Sequence, residues 1–287
     1  MYTTYQNLYK QLTNIYPLNE AKAIVRMVLE ERFGLTLADI YTDKVTQLSA
    51  DDAGKLEKIM LRLAKGEPVQ YVLGSVTFCG RQFGVAPGVL IPRPETELLC
   101  EWVVNVNDKP YCALQPPTPL RVLDVGTGSG CIAITLSLDM PNTVVSACDI
   151  SPEALLIARD NAIRLGAAVN FQLKDALQLA ATEETFDIIV SNPPYICDSE
   201  RTEMMQNVLD HEPPTALFVP DDDPLRFYRA IAEYGTTALS HGGELYFEIN
   251  DRFADEVSAM LNALGYAGTE VRTDQFGKQR FVKTMRA

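Results

Sequence analysis

The stretch RVLDVGTGSGCIAITLSL (residues 121–138) decides the fold. It begins with an apolar run typical of a buried β-strand, passes through a glycine-rich turn, and continues as an apolar segment long enough for a helix. Strand and helix patterns alternate again downstream, as in TVVSACD (143–149) followed by PEALLIARDNAIRL (152–165). Seven such strands, the last two without a helix between them, predict right-handed crossovers and a doubly wound, mostly parallel, seven-stranded α/β sheet.

The glycine-rich turn is the first candidate site, because ligands on such sheets bind beyond the carboxyl ends of the strands. The dinucleotide fingerprint would place a third glycine at position 131, where Cys131 stands. A carboxylate at Asp124 repels a pyrophosphate but accepts from a cationic amino group, directly or through water. The turn therefore favours the methionine end of S-adenosylmethionine over NAD, and the residues assigned to this cofactor are Asp124, Gly126, Thr127, Gly128, Ser129 and Gly130.

Acidic residues also follow the next two strands. Asp149 ends TVVSACD, where a carboxylate can accept both ribose hydroxyls of an adenosine. The alternative is that Asp149 only caps the helix opened by Ser151 and Pro152. Asp175, just after the strand NFQLK (170–174), is a weaker candidate for a residue that borders the adenine.

The loop Asn192-Pro193-Pro194-Tyr195, directly after the apolar strand FDIIVS (186–191), is the strongest signal for chemistry. Its prolines remove two backbone donors and keep Asn192 out of helical geometry, so the loop offers acceptors. An amide or exocyclic amine nitrogen is a poor nucleophile, and two acceptors on its N–H bonds can orient its lone pair toward a sulfonium methyl. Tyr195 is expected to offer an aromatic face to a planar substrate group. A turn without a function is the alternative interpretation.

In this order, DVGTGSG, Asp149 and SNPPY resemble the Rossmann-like class I methyltransferases that act on planar nitrogens, which include adenine and cytosine amino-methyltransferases. Further motifs distinguish one family within this group of methyltransferases. The stretches GEPVQYVLG (66–74), LIPRPETE (90–97) and DQFGKQRFV (274–282), with Glu212-Pro213, resemble the PrmC or HemK family, the peptide chain release factor glutamine methyltransferases. The resemblance extends over essentially the whole chain.

The resemblance implies transfer of a methyl group to the side-chain nitrogen of the glutamine in the Gly-Gly-Gln loop of bacterial class I release factors, with S-adenosylhomocysteine as the product. It implies that Asn192 and the Pro193 carbonyl bind the amide, that Pro194 and Tyr195 lie beside it, and that Asn192 also borders the cofactor. Asp175 and Ala176 are assigned to the adenine, although many relatives carry a bulkier residue at the second position. His211-Glu-Pro-Pro departs from the aromatic expected before Glu-Pro, which affects a supporting loop. Arg93 and Glu95 either shield the cofactor pocket or cap a helix that begins near Thr96.

Three domains are predicted along the chain of 287 residues. Residues 1–65 show helical periodicity, with Asn19 and Ser49 as candidate helix caps, and form the predicted substrate-docking domain. Residues 66–94 change to aromatic, β-branched and glycine residues, which indicates a β-hairpin linker around Gly80. Residues 95–287 form the predicted methyltransferase domain, and their proline-rich stretch NDKPYCALQPPTPL (107–120) is expected to be a solvated connection.

The net charge of −13 argues against binding DNA or RNA, because such binding depends on phosphate attraction. An amino-methyltransferase of adenine or cytosine in nucleic acid is therefore the second choice, and a non-catalytic protein that binds S-adenosylmethionine is the third. The six cysteines form no CxxC pair, so no metal site is expected. The N-terminus resembles no signal peptide and no run is long enough to span a membrane, so a cytoplasmic protein without membrane contact is expected. The oligomeric state stays open, with a monomer favoured.

Overall fold

The computed structural model describes residues 4–107, 118–180 and 184–287, so most of the predicted proline-rich connection lies outside the described residues. The chain forms two compact units: residues 1–75 with 205–211, and residues 76–204 with 212–287. The predicted boundaries at residues 65 and 94 concern functional domains and stay a prediction. Each unit is described by itself, with helices and strands numbered in chain order.

The first unit is helical. Its helices are α1 (Tyr5–Leu12), α2 (Leu18–Phe33), α3 (Leu37–Tyr41), α4 (Ala50–Leu63), α5 (Val69–Leu73) and α9 (Gln206–His211). Ser49 caps α4 as predicted, because its hydroxyl accepts from the Asp52 N–H. The predicted cap at Asn19 is wrong, since α2 begins one residue earlier at Leu18, with Pro17 at the capping position. The apolar faces meet in one core that includes Leu12, Val28 and Leu63.

The predicted hairpin consists of β1 (Ser75–Phe78) and β2 (Arg81–Gly84), and all of it after Ser75 belongs to the second unit. Cys79 and Gly80 form its two-residue turn with φ of 46° and 70°, the backbone twist that suits a tight hairpin. The predicted helix in PRPETE is also present. It is α6 (Pro94–Asn107), and it begins two residues before Thr96.

A seven-stranded sheet forms the centre of the second unit, in the order β10-β11-β9-β6-β3-β4-β5. Its strands are β3 (Leu120–Val125), β4 (Thr143–Asp149), β5 (Val169–Leu173), β6 (Phe186–Ser191), β9 (Leu239–Glu248), β10 (Tyr266–Thr273) and β11 (Gln279–Arg286). The first five are parallel to one another, whereas β11 is antiparallel to β9 and to β10. The predicted mostly parallel, seven-stranded sheet is confirmed.

Two apolar cores lie against the sheet. One contains Val122, Ile134 and Leu155, and the other contains Ile189, Tyr228 and Phe247. The helices that carry these residues or lie between the strands are α7 (Cys131–Asp139), α8 (Pro152–Leu165), α10 (Arg226–Ala238) and α11 (Ala254–Ala263). The sequence did not predict the short parallel pair β7 (Ile196–Cys197) and β8 (Phe218–Val219), which joins the segment after the Asn-Pro-Pro-Tyr loop to the segment after Glu212-Pro213.

The strand order reverses at β3, because the chain moves from β3 to β4 and β5 on one side and then to β6 and β9 on the other. Such a reversal opens a crevice at the carboxyl ends of the two strands where it occurs, here β3 and β6. The glycine-rich turn follows β3 and the Asn-Pro-Pro-Tyr loop follows β6. The topology therefore places the two strongest sequence motifs on either side of one crevice.

Candidate cofactor and amide site

The carboxyl ends of four strands are level with one another. Val125 of β3 pairs with Cys148 of β4 and with Ser191 of β6, which in turn pairs with Phe247 of β9. A hydrogen bond from the Ser191 hydroxyl to the Val125 carbonyl, 2.6 Å long, fixes the two central strands. One position further along the four strands lie Asp149, Gly126, Asn192 and Glu248. Register alone thus gathers two carboxylates, a glycine and an amide in one row.

A cavity of about 320 Å³ opens beyond this row. It has the size of a small-molecule site. Residues predicted for the site that line it are Gly126, Gly128, Asp149, Asp175, Ala176, Asn192, Pro193 and Pro194. Other predicted site residues, Asp124, Thr127, Ser129, Gly130 and Tyr195, lie outside this lining.

The glycine turn fits a ligand that approaches the backbone closely. Gly126 and Gly128 have φ of 77° and 55°, and a Cβ atom added to either would meet no atom within 4 Å. Because both line the cavity, their missing side chains leave the backbone open to a ligand. Gly130 differs, since its Cβ would come within 2.9 Å of Ile134 and 3.1 Å of the Ala158 side chain. Gly130 therefore serves helix packing rather than ligand contact.

Asp124 lies behind the turn and is 0% exposed. Its Oδ2 accepts from the Thr127 hydroxyl at 2.6 Å and from the Ala133 N–H at 3.2 Å, while Oδ1 has no hydrogen-bond partner among the described residues. Burial raises the pKa of this carboxyl to about 7, against the two hydrogen bonds, which lower it. In this structure Asp124 holds the shape of the turn, and a direct contact with an amino group in the cavity is not available to it.

Asp149 faces the cavity and also supports its wall. Its Oδ2 accepts from the Gly128 N–H at 2.8 Å, and its Oδ1 accepts from the Ser151 N–H at 2.9 Å. Ser151, rather than Asp149, caps α8 through the Ala154 N–H. Each carboxylate oxygen has a second lone pair, so both can still accept from a diol. The ribose role and the structural role of Asp149 are therefore compatible.

Asp175 and Ala176 lie at the next strand end and line the same cavity. Asp175 caps a 3-10 turn, with Oδ1 accepting from the Leu177 N–H at 2.8 Å. The cavity lining also contains residues that the sequence had not assigned to a site, among them Lys174, Leu177, Phe227 and the loop residues Gly88, Val89 and Leu90. The loop APGVLIPRP, treated as linker, thus contributes to the cavity.

The side-chain amide of Asn192 has a defined direction. Its Nδ2 donates to Thr96 Oγ1 at 3.1 Å, and Thr96 Oγ1 donates to Glu248 Oε2 at 2.7 Å. Because Nδ2 is committed to Thr96, the amide oxygen Oδ1 is the end left for a ligand in the cavity that Asn192 lines. Thr96 and Glu248 are 2% and 1% exposed, so the anchor is buried. The geometry leaves Asn192 able to act as the acceptor that the sequence predicts, and that role stays a prediction.

Pro193 and Pro194 line the cavity, but Tyr195 turns away from it. The Tyr195 hydroxyl donates to Glu248 Oε1 at 3.1 Å, and burial raises the pKa of this phenol far above its usual range. Its backbone carbonyl accepts from Asn250 Nδ2. The structure therefore places Tyr195 as a support of the loop, and the aromatic contact with substrate expected from the sequence has no counterpart in the cavity wall.

Arg93 and Glu95 both lie outside the cavity lining. Arg93 forms an ion pair with Glu212 at 2.6 Å, and Glu212, 3% exposed, also accepts from the Ile91 N–H. This pair ties the PRPETE loop to the segment that contains Pro213, which lines the cavity. Glu212 and Pro213 therefore belong to a supporting segment of the second unit, whereas His211 is the last residue of α9 in the first unit.

Thr96 and Glu248 are functional candidates that sequence reasoning did not assign. Glu248 ends a parallel strand, which is a signal in the sequence for a ligand-side position. Thr96 carries no comparable signal. Within the described residues, no cluster of His, Cys, Asp and Glu could hold a metal ion, and no helix is long and apolar enough to cross a bilayer.

The chain is similar to known proteins over nearly its whole length. The model of the PrmC N-terminal domain matches residues 5–74, and that of the methyltransferase small domain matches residues 112–217. The release factor glutamine methyltransferase of Bacteroides thetaiotaomicron is 48% identical over 278 residues, covering 96% of this chain and 97% of that protein. That of Flavobacterium psychrophilum is 39% identical over 272 residues, covering 95% and 94%.

Solved structures show the fold. A methyltransferase from Pyrococcus furiosus superposes with a TM-score of 0.53 at 16% identity, covering 83% of this chain and all of that one. The 16S rRNA N2 G1207 methyltransferase of Thermus thermophilus, solved with S-adenosylmethionine and guanosine, gives 0.53 at 16% identity, covering 74% and 50%. The predicted Rossmann-like methyltransferase fold is confirmed, and the identity to the bacterial relatives over nearly the whole length shows that this chain belongs to the release factor glutamine methyltransferase family.

Proposed function

We propose that the protein transfers a methyl group from S-adenosylmethionine to the side-chain amide nitrogen of the glutamine in the Gly-Gly-Gln loop of bacterial class I peptide chain release factors, and releases S-adenosylhomocysteine. The family supports the reaction. The observation that carries the chemistry is the fixed amide of Asn192, whose Nδ2 is bound to Thr96 so that Oδ1 is left for the cavity.

The substrate amide needs orientation more than it needs a base. Its nitrogen lone pair is delocalised, and Asn192 Oδ1 together with the Pro193 carbonyl can accept its two N–H bonds and direct the lone pair at the electrophile. When bound, S-adenosylmethionine supplies an electrophilic methyl group on a sulfonium. The proton can leave after transfer has made the nitrogen cationic, so neither histidine of the chain is required.

The cofactor is proposed to lie in the cavity against the residues that follow β3, β4 and β5. Gly126 and Gly128 would admit the methionine end, Asp149 would accept the ribose hydroxyls, and Asp175 with Ala176 would border the adenine. Thr127, Ser129 and Gly130 keep their assignment to the cofactor loop as residues that shape it, since they are buried behind the lining. Asp124 supports the turn from the same side.

The partner is proposed to dock on the N-terminal helical domain, because a single glutamine offers too little surface for specificity. We further propose that the protein acts in the cytoplasm, where ribosomes use release factors, as a monomer that does not bind nucleic acid itself. The net charge of −13 supports the last point and disfavours methylation of adenine or cytosine.

One assay tests the proposed function. Radiolabelled S-adenosylmethionine is offered with release factor, with release factor that carries Gln→Ala in its Gly-Gly-Gln loop, with DNA and with tRNA. We expect label in the intact release factor alone. Label that persists in the Gln→Ala protein would contradict the target residue, and label in DNA or tRNA would favour the nucleic acid alternative.

A further inference from the structure

We propose that Glu248 and Thr96 act as positioning residues that set the direction of the Asn192 amide, and so decide whether the cavity presents a hydrogen-bond acceptor or a donor to the substrate. The inference rests on the proposed function for the meaning of that choice. The inference goes beyond the proposed function because it assigns an effect on the reaction rate to two buried residues. Neither of these residues lines the cavity.

Three hydrogen bonds connect Asn192, Thr96, Glu248 and Tyr195 into a chain that we call the relay. Asn192 Nδ2 donates to Thr96 Oγ1 at 3.1 Å, Thr96 Oγ1 donates to Glu248 Oε2 at 2.7 Å, and the Tyr195 hydroxyl donates to Glu248 Oε1 at 3.1 Å. The residues come from the first turn of α6, the loop after β6 and the end of β9. All belong to the second compact unit.

Counting protons gives the relay its direction. An ionised carboxylate only accepts hydrogen bonds, and a threonine hydroxyl has a single proton to donate. Since Thr96 gives that proton to Glu248, it can only accept on its other side. Asn192 must then turn its NH₂ group toward Thr96, which leaves its oxygen for the cavity.

Removing the charge of Glu248 removes this constraint. A neutral carboxyl or amide at position 248 can donate to Thr96 Oγ1, and Thr96 is then free to donate to Asn192 Oδ1. The Asn192 amide can rotate by half a turn, which places its NH₂ group in the cavity. That group would face the N–H bonds of the substrate amide, donor against donor, and could not orient the nucleophile.

The surroundings of Glu248 set the pH at which this happens. Burial raises the pKa of Glu248 and the charge of Glu95 adds to the rise, while the hydrogen bonds from Thr96 and Tyr195 and the charge of Arg280 lower it. Tyr228 also faces the group from α10. The net direction is upward, so protonation of Glu248 begins at a higher pH than for an exposed glutamate. The acceptor form of the site is present above that pKa and is lost as the pH falls through it.

The variants that test the relay are Glu248→Gln, Thr96→Val and Thr96→Ser, with Thr135→Val as a matched control at another buried threonine, 1% exposed, in α7. We expect Glu248→Gln and Thr96→Val to lower kcat for release factor by about 10- to 100-fold, less than the loss of a positioned group because the correct orientation stays partly populated. S-adenosylmethionine affinity should stay within about twofold. Thr96→Ser keeps the hydroxyl and should restore most of kcat, and Thr135→Val should leave it unchanged.

Two further readouts separate positioning from mere structural support. The kcat of the wild-type protein should fall on the acid side with the raised pKa of Glu248, and this acid limb should be absent from Glu248→Gln. By NMR, the ¹H–¹⁵N signal of the Asn192 side-chain amide, assigned as the one missing in Asn192→Asp, should shift in Glu248→Gln and Thr96→Val and in the wild type at low pH. The NMR measurement needs no substrate.

Each outcome bears on the proposal. A Glu248→Gln protein with wild-type kcat and an unshifted Asn192 signal would overturn it. A different result would assign the relay to stability alone. In that case Glu248→Gln and Thr96→Val lose kcat together with a lower melting temperature, Thr96→Ser does not restore kcat, and Glu248→Gln retains the acid limb. If the wild type does not label release factor while the Asn192 signal shifts as expected, the proposed function fails and the relay stands.

Discussion

Replacing Asn192 by alanine is the sharpest test of how this site works. The substitution removes Oδ1, the proposed acceptor for the substrate N–H, and Nδ2, which donates to Thr96 Oγ1 at 3.1 Å. Thr96 still donates to Glu248, so the fold loses one hydrogen bond at a partly buried position, and we expect a stability cost of about 1 kcal/mol. The catalytic loss should be larger, on the order of 10²–10³ in kcat or about 2.7–4 kcal/mol, the range seen when one positioned hydrogen-bonding group is removed.

The assay follows transfer of label from S-adenosylmethionine to release factor, with cofactor affinity measured by calorimetry and folding by thermal melting. Asn262→Ala is the matched control, because Asn262 is exposed on α11 and lies outside the cavity. Its kcat should equal that of the wild type. We expect the Asn192→Ala protein to bind S-adenosylmethionine nearly normally, since the amide acts on the substrate nitrogen.

Asn192→Asp should also be impaired, for a reason that the structure supplies. Both carboxylate oxygens accept, so one of them would face Thr96 Oγ1, whose proton is already given to Glu248. The reasoning would be refuted by a folded, cofactor-binding Asn192→Ala protein that retains more than about a tenth of wild-type kcat. Such activity would leave less than about 1.4 kcal/mol for the contact, too little for a central orienting role.

Three further predictions follow from the site and its surroundings. Asp149→Ala should weaken S-adenosylmethionine binding by about 1–3 kcal/mol, because it loses the ribose acceptor and the 2.8 Å support of the Gly128 N–H, and unaltered affinity in calorimetry would contradict this role. Gly130→Ala should lower the free energy of unfolding by about 2–4 kcal/mol, since it combines a φ of 82° with a Cβ 2.9 Å from Ile134, whereas a loss below about 1 kcal/mol in denaturant melts would show that the packing adjusts. Leu61→Glu, on an exposed apolar position of α4, should raise KM for release factor without changing cofactor affinity, while Ile163→Glu on α8 should leave KM unchanged, and equal KM values for both variants would argue against docking on the helical domain.

Much of the fold is visible in local sequence. The strand and helix patterns from residue 121 onward reproduce the strands of the seven-stranded sheet and the helices between them, because backbone sterics and burial of one face act within a few residues. Turns are also set by local sequence, as the two-residue turn of Cys79 and Gly80 in the hairpin shows. The failed cap at Asn19 is an error of one residue, where Pro17, fixed in φ, already starts the helix at Leu18.

The roles of single site residues were less visible. Gly130 and Gly126 look alike in the sequence, yet one packs against α8 and the other lines the cavity. Tyr195 follows the two prolines as an apparent substrate contact, but its hydroxyl is bound to Glu248 and its ring lies outside the cavity wall. Both differences depend on which residue occupies the neighbouring space, Ile134 and Ala158 beside Gly130 and Glu248 beside Tyr195.

By itself, the sequence determined the doubly wound sheet, the glycine turn after β3 and the acceptor-rich Asn-Pro-Pro-Tyr loop after β6, since each is set by short-range geometry. Only the tertiary structure decided which end of the Asn192 amide meets the cavity. That choice depends on Thr96, 96 residues away, and on Glu248, 152 residues beyond Thr96. Strand register and helix packing bring the three together, and the single proton of a hydroxyl, given to a buried carboxylate, then fixes the orientation.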